Sequence, residues 1–238
     1  MKIVAIVQAR MGSSRLPGKV LLPMDKGIAL ELLLKRLSQS ALLSKIVVAT
    51  SQLDKDNPIA QFCIEKGVEV YRGDEQDVLK RYYDAAKYMK ADIVVRVTAD
   101  CPLFDAGVLD SMLQSFLQLK VDYLSNILPR SYPKGLDTEV FTLEALAQTA
   151  THASTPEERE HVTRYLQNCQ LFKIKNFNGE IDLSHHRWTL DYPEDYYFLR
   201  RVYNYLDCPT ANYQQVLATI DNNVELKLLS ARLNKLYL

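Results

Sequence analysis

No stretch of this chain stays apolar for the roughly 18 residues that a membrane-spanning helix needs, and neither sign of charge predominates. Its 238 residues hold 29 Lys and Arg against 29 Asp and Glu. The first absence predicts no transmembrane helix; the second argues against a general nucleic-acid or membrane-surface binder. The N-terminus lacks the apolar segment and small-residue cleavage site of a signal peptide, so a cytoplasmic protein is expected. Cys63, Cys101, Cys169 and Cys208 are widely spaced and form no Cys-x-x-Cys pair, as reduced thiols in that compartment do. There is no internal repeat and no low-complexity segment. Two phosphate-binding signatures are missing as well: the Gly-x-x-x-x-Gly-Lys-Ser/Thr loop, and Gly-x-Gly-x-x-Gly, for which Gly12 and Gly18 stand too far apart.

A further absence is local. Residues 1–24 contain Lys2, Arg10, Arg15 and Lys19 but no Asp or Glu. Within them, Ile3-Val4-Ala5-Ile6-Val7 is a run of mostly β-branched side chains, which reads as a strand buried on both faces. The run stops at Gln8, and the next eleven positions hold three cations, two glycines, two serines and a proline. In such a loop, backbone N–H groups and serine hydroxyls can donate to phosphate oxygens while arginine and lysine neutralise them. The composition fits a polyphosphate cradle or a solvated basic turn.

Downstream, Leu30, Leu33, Leu34 and Leu37 recur at helical spacing and predict an amphipathic helix over 27–39. Ile46–Ala49 reads as a second strand ending at Thr50-Ser51, and Ile59–Lys66 as a short helix stopped by Gly67. A third strand at 68–71 runs into Arg72-Gly73-Asp74, a helix covers 76–89, and Ile93–Val97 is a fourth strand. This alternation predicts βαβ units. At this length they make one α/β domain with a substantial core. Ligands sit beyond the C-terminal ends of parallel strands. Four polar tails are therefore expected to meet: Arg10 to Lys19, Thr50-Ser51, Arg72 to Asp74, and Thr98-Ala99-Asp100. Asp100, fixed between a buried strand and Cys101-Pro102, can hold a hard cation or cap the helix near 107–119. Cys101 is the alternative nucleophile, with no histidine nearby in sequence to activate it.

From residue 121 the pattern changes to shorter strands, at 121–124, 138–141 and 171–175, separated by a Pro- and Gly-containing loop and a helix near 143–150. Thr155-Pro156-Glu157-Glu158 has the form of a capping box with proline at the first helical position. Adjacent His185 and His186 on a strand would face opposite ways and share no metal. Thr189-Leu190-Asp191 is expected to end that strand, and Pro193-Glu194-Asp195 to open a helix over 193–206 whose N-terminus favours acids. Residues 212–238 read as mostly helical, their leucines packing on the domain or contributing to a homodimer contact.

The stretch Gln8-Ala9-Arg10-Met11-Gly12-Ser13-Ser14-Arg15-Leu16-Pro17-Gly18-Lys19 resembles the N-terminal signature of the sugar-activating cytidylyltransferases. These are the CMP-sialic acid, CMP-pseudaminic acid and CMP-Kdo synthetases. Gly135-Leu136-Asp137-Thr138-Glu139-Val140-Phe141 and Glu160-His161-Val162-Thr163 look like the SpsF-like branch, named for spore coat polysaccharide biosynthesis protein F. Leu190-Asp191-Tyr192-Pro193-Glu194-Asp195 resembles the Val-Asp-Thr-Pro-Glu-Asp motif of CMP-Kdo synthetases, with Tyr192 in place of Thr. The resemblance implies a single Rossmann-like, GT-A-like nucleotidyltransferase domain with a mainly parallel sheet flanked by helices. Residues 1–120 would bind nucleotide, 121–205 sugar, and 206–238 form C-terminal helices.

It further implies that CTP is bound by Gln8, Ala9, Arg10, Ser13, Arg15 and Lys19, together with Thr50, Ser51, Arg72 and Asp74. Arg10, Arg15, Lys19 and Asp100 would be catalytic, and Asp100 and Asp191 would hold Mg2+. Asp137 and Glu139 would line the pocket of an acidic sugar, the product being a CMP-sugar for surface polysaccharide. Three alternatives stand beside it: another NTP, a non-catalytic nucleotide-binding protein on the same scaffold, and a glycosyltransferase, which typically needs an Asp-x-Asp motif.

Overall fold

The computed structural model describes residues 1–237. In chain order it contains β1 (Ile3–Gln8), the hairpin β2 (Pro23–Met24) and β3 (Gly27–Ile28), α1 (Ala29–Leu37), β4 (Lys45–Ser51), α2 (Asn57–Glu65), β5 (Glu69–Gly73), α3 (Val78–Tyr88), β6 (Ile93–Thr98) and α4 (Ala106–Leu119). There follow β7 (Tyr123–Ser125), β8 (Glu139–Thr142), α5 (Leu143–His152), α6 (Pro156–Glu160), α7 (Arg164–Asn168), β9 (Ile174–Asn176), α8 (Pro193–Tyr205), α9 (Tyr213–Asp221) and α10 (Val224–Tyr237).

Among the described residues, seven strands form one sheet in the order β5-β4-β1-β6-β8-β7-β9. Strands β5, β4, β1 and β6 are mutually parallel, β8 runs against both β6 and β7, and β9 is parallel to β7. The mainly parallel sheet expected from the sequence is therefore present, with one reversed strand. Strand β1 is central, and its side chains alternate between two cores. Ala5 and Val7 join the leucines of α1 and the apolar face of α4, whereas Val4 and Ile6 pack with Val78, Leu79 and Tyr82 of α3. A strand covered by helices on both sides has no solvent face, which accounts for its continuous apolar run. The larger core extends from Ile3 to Leu233, taking in Leu226 of α10, so the C-terminal leucines that are buried pack on the domain itself.

Two local expectations are corrected. Residues 189–191 end no strand; Arg187 makes an isolated bridge to Lys134, and Leu190 N–H donates to the Asp100 carbonyl at 2.8 Å. His185 and His186 therefore do not point to opposite faces, and their rings lie 4.2 Å apart. The segment is held by a pair of backbone bonds to Lys134 and one to Asp100, an arrangement that local periodicity does not encode. The capping box at Thr155 and Glu158 is present as expected.

Gly135 makes this docking feasible. Its φ is +116°, and a Cβ there would stand 2.6 Å from the Trp188 carbonyl carbon. Backbone cannot rotate aside as a side chain can, so Gly135→Ala combines overpacking with a conformation L-residues avoid. We expect a loss of about 2–3 kcal/mol, read as a melting temperature lower by roughly 5–10 °C in a chain of this size.

Candidate functional site

A cavity of about 210 Å³ opens at the C-terminal ends of β1 and β6, walled by Gln8, Arg10, Gly12, Ser13, Arg15, Lys19, Thr98, Asp100 and Asp191. The cationic loop folds over it because its backbone closes on itself. The N–H groups of Ser13 and Gly18 both donate to the Met11 carbonyl, at 2.9 and 3.0 Å, and Gly18 takes the left-handed conformation at φ +68°. Met11 N–H donates in turn to Asp56 Oδ1 at 2.7 Å. The fully buried Asp56 carboxylate also accepts from Ser51 N–H and the Ser51 hydroxyl. One residue thus ties the loop after β1 to the end of β4.

Lys19 is the centre of the site. Its ammonium donates to Asp100 Oδ2 and to Asp191 Oδ1, each at 2.8 Å, although the two acids are far apart in sequence. Arg15 lies 3.2 Å from the same Asp191 oxygen, and the Thr98 hydroxyl donates to Asp100 Oδ1 at 2.5 Å. Asp191 is set in place from behind: its N–H and that of Tyr192 donate to Asp195 Oδ2, and Asp195 is gripped by both arms of buried Arg187 at 2.8 and 2.7 Å. Acids at the start of α8 thus serve its N-terminus, as the sequence suggests.

Burial alone would push the Asp100 carboxyl up. The Lys19 charge and hydrogen bond, with that from Thr98, outweigh it and hold the group below its usual value. Burial would likewise lower Lys19, but the two carboxylates raise it. Arg15 is raised by its bond to Tyr192, against a smaller opposing effect of burial, with Asp191 adding to the rise. Asp100, Lys19 and Arg15 are therefore charged near neutral pH. Burial and the neighbouring Asp100 charge push the Cys101 thiol well up, so it stays protonated and is no nucleophile. Asp100 does not cap the following helix either; Asp105 does, accepting from Val108 N–H at 2.8 Å.

Other expected site residues lie elsewhere. Ala9 is buried and its N–H donates to the Ala49 carbonyl. Thr50 and Ser51 are buried, Arg72 donates to the carbonyls of Ser51 and Leu53 at 2.9 and 3.0 Å, and Asp74 accepts from the N–H groups of Gln76 and Asp77. None of these five lines the cavity; Arg72 and Asp74 are taken up by neighbouring backbone, the Ser51 hydroxyl by Asp56, and the Thr50 hydroxyl is buried without a partner. Asp137 is held bidentately by Arg130, at 2.5 and 2.8 Å, close enough to Asp100 to oppose its ionisation.

Glu139 is a correction. It is 2 % exposed and closed off by Arg96 at 2.6 Å, Tyr123, Thr163 and Gln167, so no sugar reaches it. The triplet Asp54-Lys55-Asp56, on which a glycosyltransferase reading would turn, is also structural. Asp56 is used as described, and Asp54 accepts from the Asn57 side chain outside the cavity.

Sequence reasoning missed Asp56 and Arg187; Gln8, which it named, stands in the cavity wall with its buried side-chain oxygen unpartnered. Among the described residues no group of three His, Cys, Asp or Glu is arranged to hold a metal. The carboxylates of Asp100 and Asp191, each 2.8 Å from one cationic nitrogen, do fit a hard cation that takes its remaining ligands from phosphate and water.

A parallel sheet whose central strands end in a cationic loop opposite two carboxylates belongs to the class of α/β proteins that handle polyphosphates. The model of the cytidylyltransferase family matches residues 4–230, and the chain belongs to that family. Over 93 % of its length, covering 95 % of the relative, it is 32 % identical to spore coat polysaccharide biosynthesis protein SpsF of Bacillus subtilis. A cytidylyltransferase from Leptospira borgpetersenii superposes with a TM-score of 0.91 at 37 % identity, over 95 % of this chain and 96 % of that one. The CMP:2-keto-3-deoxy-manno-octonic acid synthetase complexed with CTP shares the fold, with a TM-score of 0.66 at 18 % identity over 86 % of this chain and 99 % of that one. Among the described residues no helix is long and apolar enough to cross a membrane.

Proposed function

We propose that the protein transfers the cytidylyl group of CTP to a hydroxyl of an acidic sugar, giving a CMP-sugar and pyrophosphate. The observation that carries this reading is the Lys19–Asp100–Asp191 cluster facing Arg15 in the cavity of a cytidylyltransferase-family chain. The sugar oxygen attacks the α-phosphorus, the bond to the bridging oxygen of the diphosphate breaks, and negative charge moves onto the leaving group. Such chemistry depends mainly on positioning and charge neutralisation. Arg10, Arg15 and Lys19 supply cations on one side of the cavity, and Ser13 adds a hydroxyl. Gln8 offers its free carbonyl to a donor on the ligand.

Asp100 and Asp191 would hold magnesium, which when bound neutralises phosphoryl charge and lowers the cost of attack. Thr50, Ser51, Arg72 and Asp74 act indirectly, by fixing the loops beside the cavity. Asp137, with Arg130, sits on the acceptor side, so 121–205 is the sugar-binding part, 1–120 the nucleotide-binding part and 206–238 their support. An acidic sugar is supported by the octonic acid in the name of the CTP-bound neighbour, and a polysaccharide destination by the name of the Bacillus relative.

Pyrophosphate release with CTP, magnesium and a panel of sialic, pseudaminic, legionaminic and Kdo-type sugars tests the proposal. Release with one sugar is the expected result, abolished by chelation of the metal. Release with UTP or GTP in place of CTP would change the nucleotide. Absence of CTP binding would remove the assignment.

A further inference from the structure

The cavity's Arg15 is held by residues from the far end of the chain. Its guanidinium carbon lies 4.8 Å from the centre of the Tyr192 ring, and its Nη1 donates to the Tyr192 hydroxyl at 3.2 Å. Tyr237, in the last turn of α10, packs on the same ring: the two rings stack at 4.2 Å with 12° between their planes. Tyr237 is fixed at both ends. Its hydroxyl donates to Glu194 Oε2 at 3.2 Å, and the buried Arg187 guanidinium lies 5.1 Å from its ring centre and 5.6 Å from that of Tyr192. Arg187 also clamps Asp195, which accepts from the Asp191 backbone. The residue that holds Asp191 in place and the residue that holds the Arg15 platform are thus in contact.

We infer that Tyr237 is a positioning residue for Arg15, so that α10 completes the cavity without lining it. Where Arg15 acts on phosphate, the inference rests on the proposed function above. The physical argument is one of freedom. Arg15 is half exposed, and a solvated guanidinium carries about 2 kcal/mol of rotamer entropy. Stacking on an aromatic face, with one N–H donated to the Tyr192 hydroxyl and the charge paired with Asp191, removes most of that freedom before any ligand arrives. The Tyr192 ring can serve as a platform only while it is itself held, and among the described residues the aromatic ring stacked on it is Tyr237. A short side chain at 192 could not take part in this stack.

The test compares wild type with Tyr237→Phe and Tyr237→Ala by two readouts. The first needs no ligand: hydrogen exchange at the Arg15 Nη–H groups, followed by NMR and assigned by their loss in Arg15→Lys. Tyr237→Ala is expected to speed that exchange at least about fivefold, and Tyr237→Phe, which keeps the stack, to leave it near wild type. Unchanged exchange in Tyr237→Ala overturns the inference. So does equal acceleration in both variants, because it would locate the effect in the Glu194 hydrogen bond.

The second readout is CTP affinity by calorimetry. Tyr237→Ala is expected to weaken it about three- to tenfold, Tyr237→Phe to preserve it, and Tyr237→Ala to add nothing in an Arg15→Ala background, as coupled residues do. An equal loss in that background would mean that Tyr237 does not act through Arg15. If wild type binds no CTP while the exchange result holds, the functional reading fails and the positioning of Arg15 stands.

Discussion

Turnover of the Asp100→Ala protein is expected to be at least about 100-fold below wild type, the scale on which losing one preorganised electrostatic partner acts in an enclosed site. Three features make this position severe. Asp100 shares one ammonium with Asp191, so its removal leaves Lys19 bound to a single acid and free to swing. Its carboxyl is held ionised, against the effect of burial, by Lys19 and Thr98, so the charge lost is a full one. Finally, the magnesium site proposed on these two carboxylates and substrate oxygens would have no third protein acid to substitute, since no group of three such ligands occurs among the described residues. Asp100→Asn keeps the shape and a hydrogen bond to Thr98 but not the charge, and should fall with the alanine variant. The check is pyrophosphate release at saturating CTP and sugar, with the melting temperatures of both variants recorded. Near-wild-type turnover in either folded variant would remove Asp100 from the mechanism.

The loop and the two acids were legible for different reasons. Strands β1, β4, β5 and β6 announce themselves as apolar runs, and parallel order places their ends on one edge. Gln8, Arg10 to Lys19 and Asp100 therefore come together by topology. Asp191 does not; it sits in a segment without regular structure, and only the likeness of Leu190 to Asp195 to a known motif pointed to it. Polar residues at strand ends proved less readable. Ser51 and Arg72 stand at the edge where ligands bind, yet their groups turn onto local backbone and Asp56. A strand-end hydroxyl can face a ligand or its own loop, and the sequence around it is the same in both cases. The scaffold behind the site, Asp56 under the loop and Arg187 with Asp195 behind Asp191, was invisible for a related reason: a buried charge looks in sequence like an exposed one until its partner is known. The reversal of β8 was hidden because a strand of four residues, Glu-Val-Phe-Thr, carries no direction.

Glu139 shows the same ambiguity from the other side, and it yields the largest expected stability effect. The carboxylate is 2 % exposed on reversed strand β8, opposite Arg96 on β6, with which it is in register. It accepts from Arg96 at 2.6 Å, the Tyr123 hydroxyl at 2.8 Å, Thr163 at 3.0 Å and Gln167 at 3.1 Å. Removing one member of such a buried pair leaves the other charged and unpaired, which costs about 3–5 kcal/mol. For Glu139→Ala this should lower the melting temperature by roughly 6–20 °C, at about 2–4 °C per kcal/mol in a chain of this size. The structural reading makes a second demand that a sugar-binding one does not: the folded variant, assayed well below its melting temperature, should keep its KM for sugar. Replacing both partners, Arg96→Met with Glu139→Leu, should recover much of the lost stability, because a well-packed apolar pair leaves no buried charge. A variant that melts like wild type but has lost affinity for the sugar would return Glu139 to the acceptor pocket, and with it the reading first drawn from its place in the Gly135–Phe141 run.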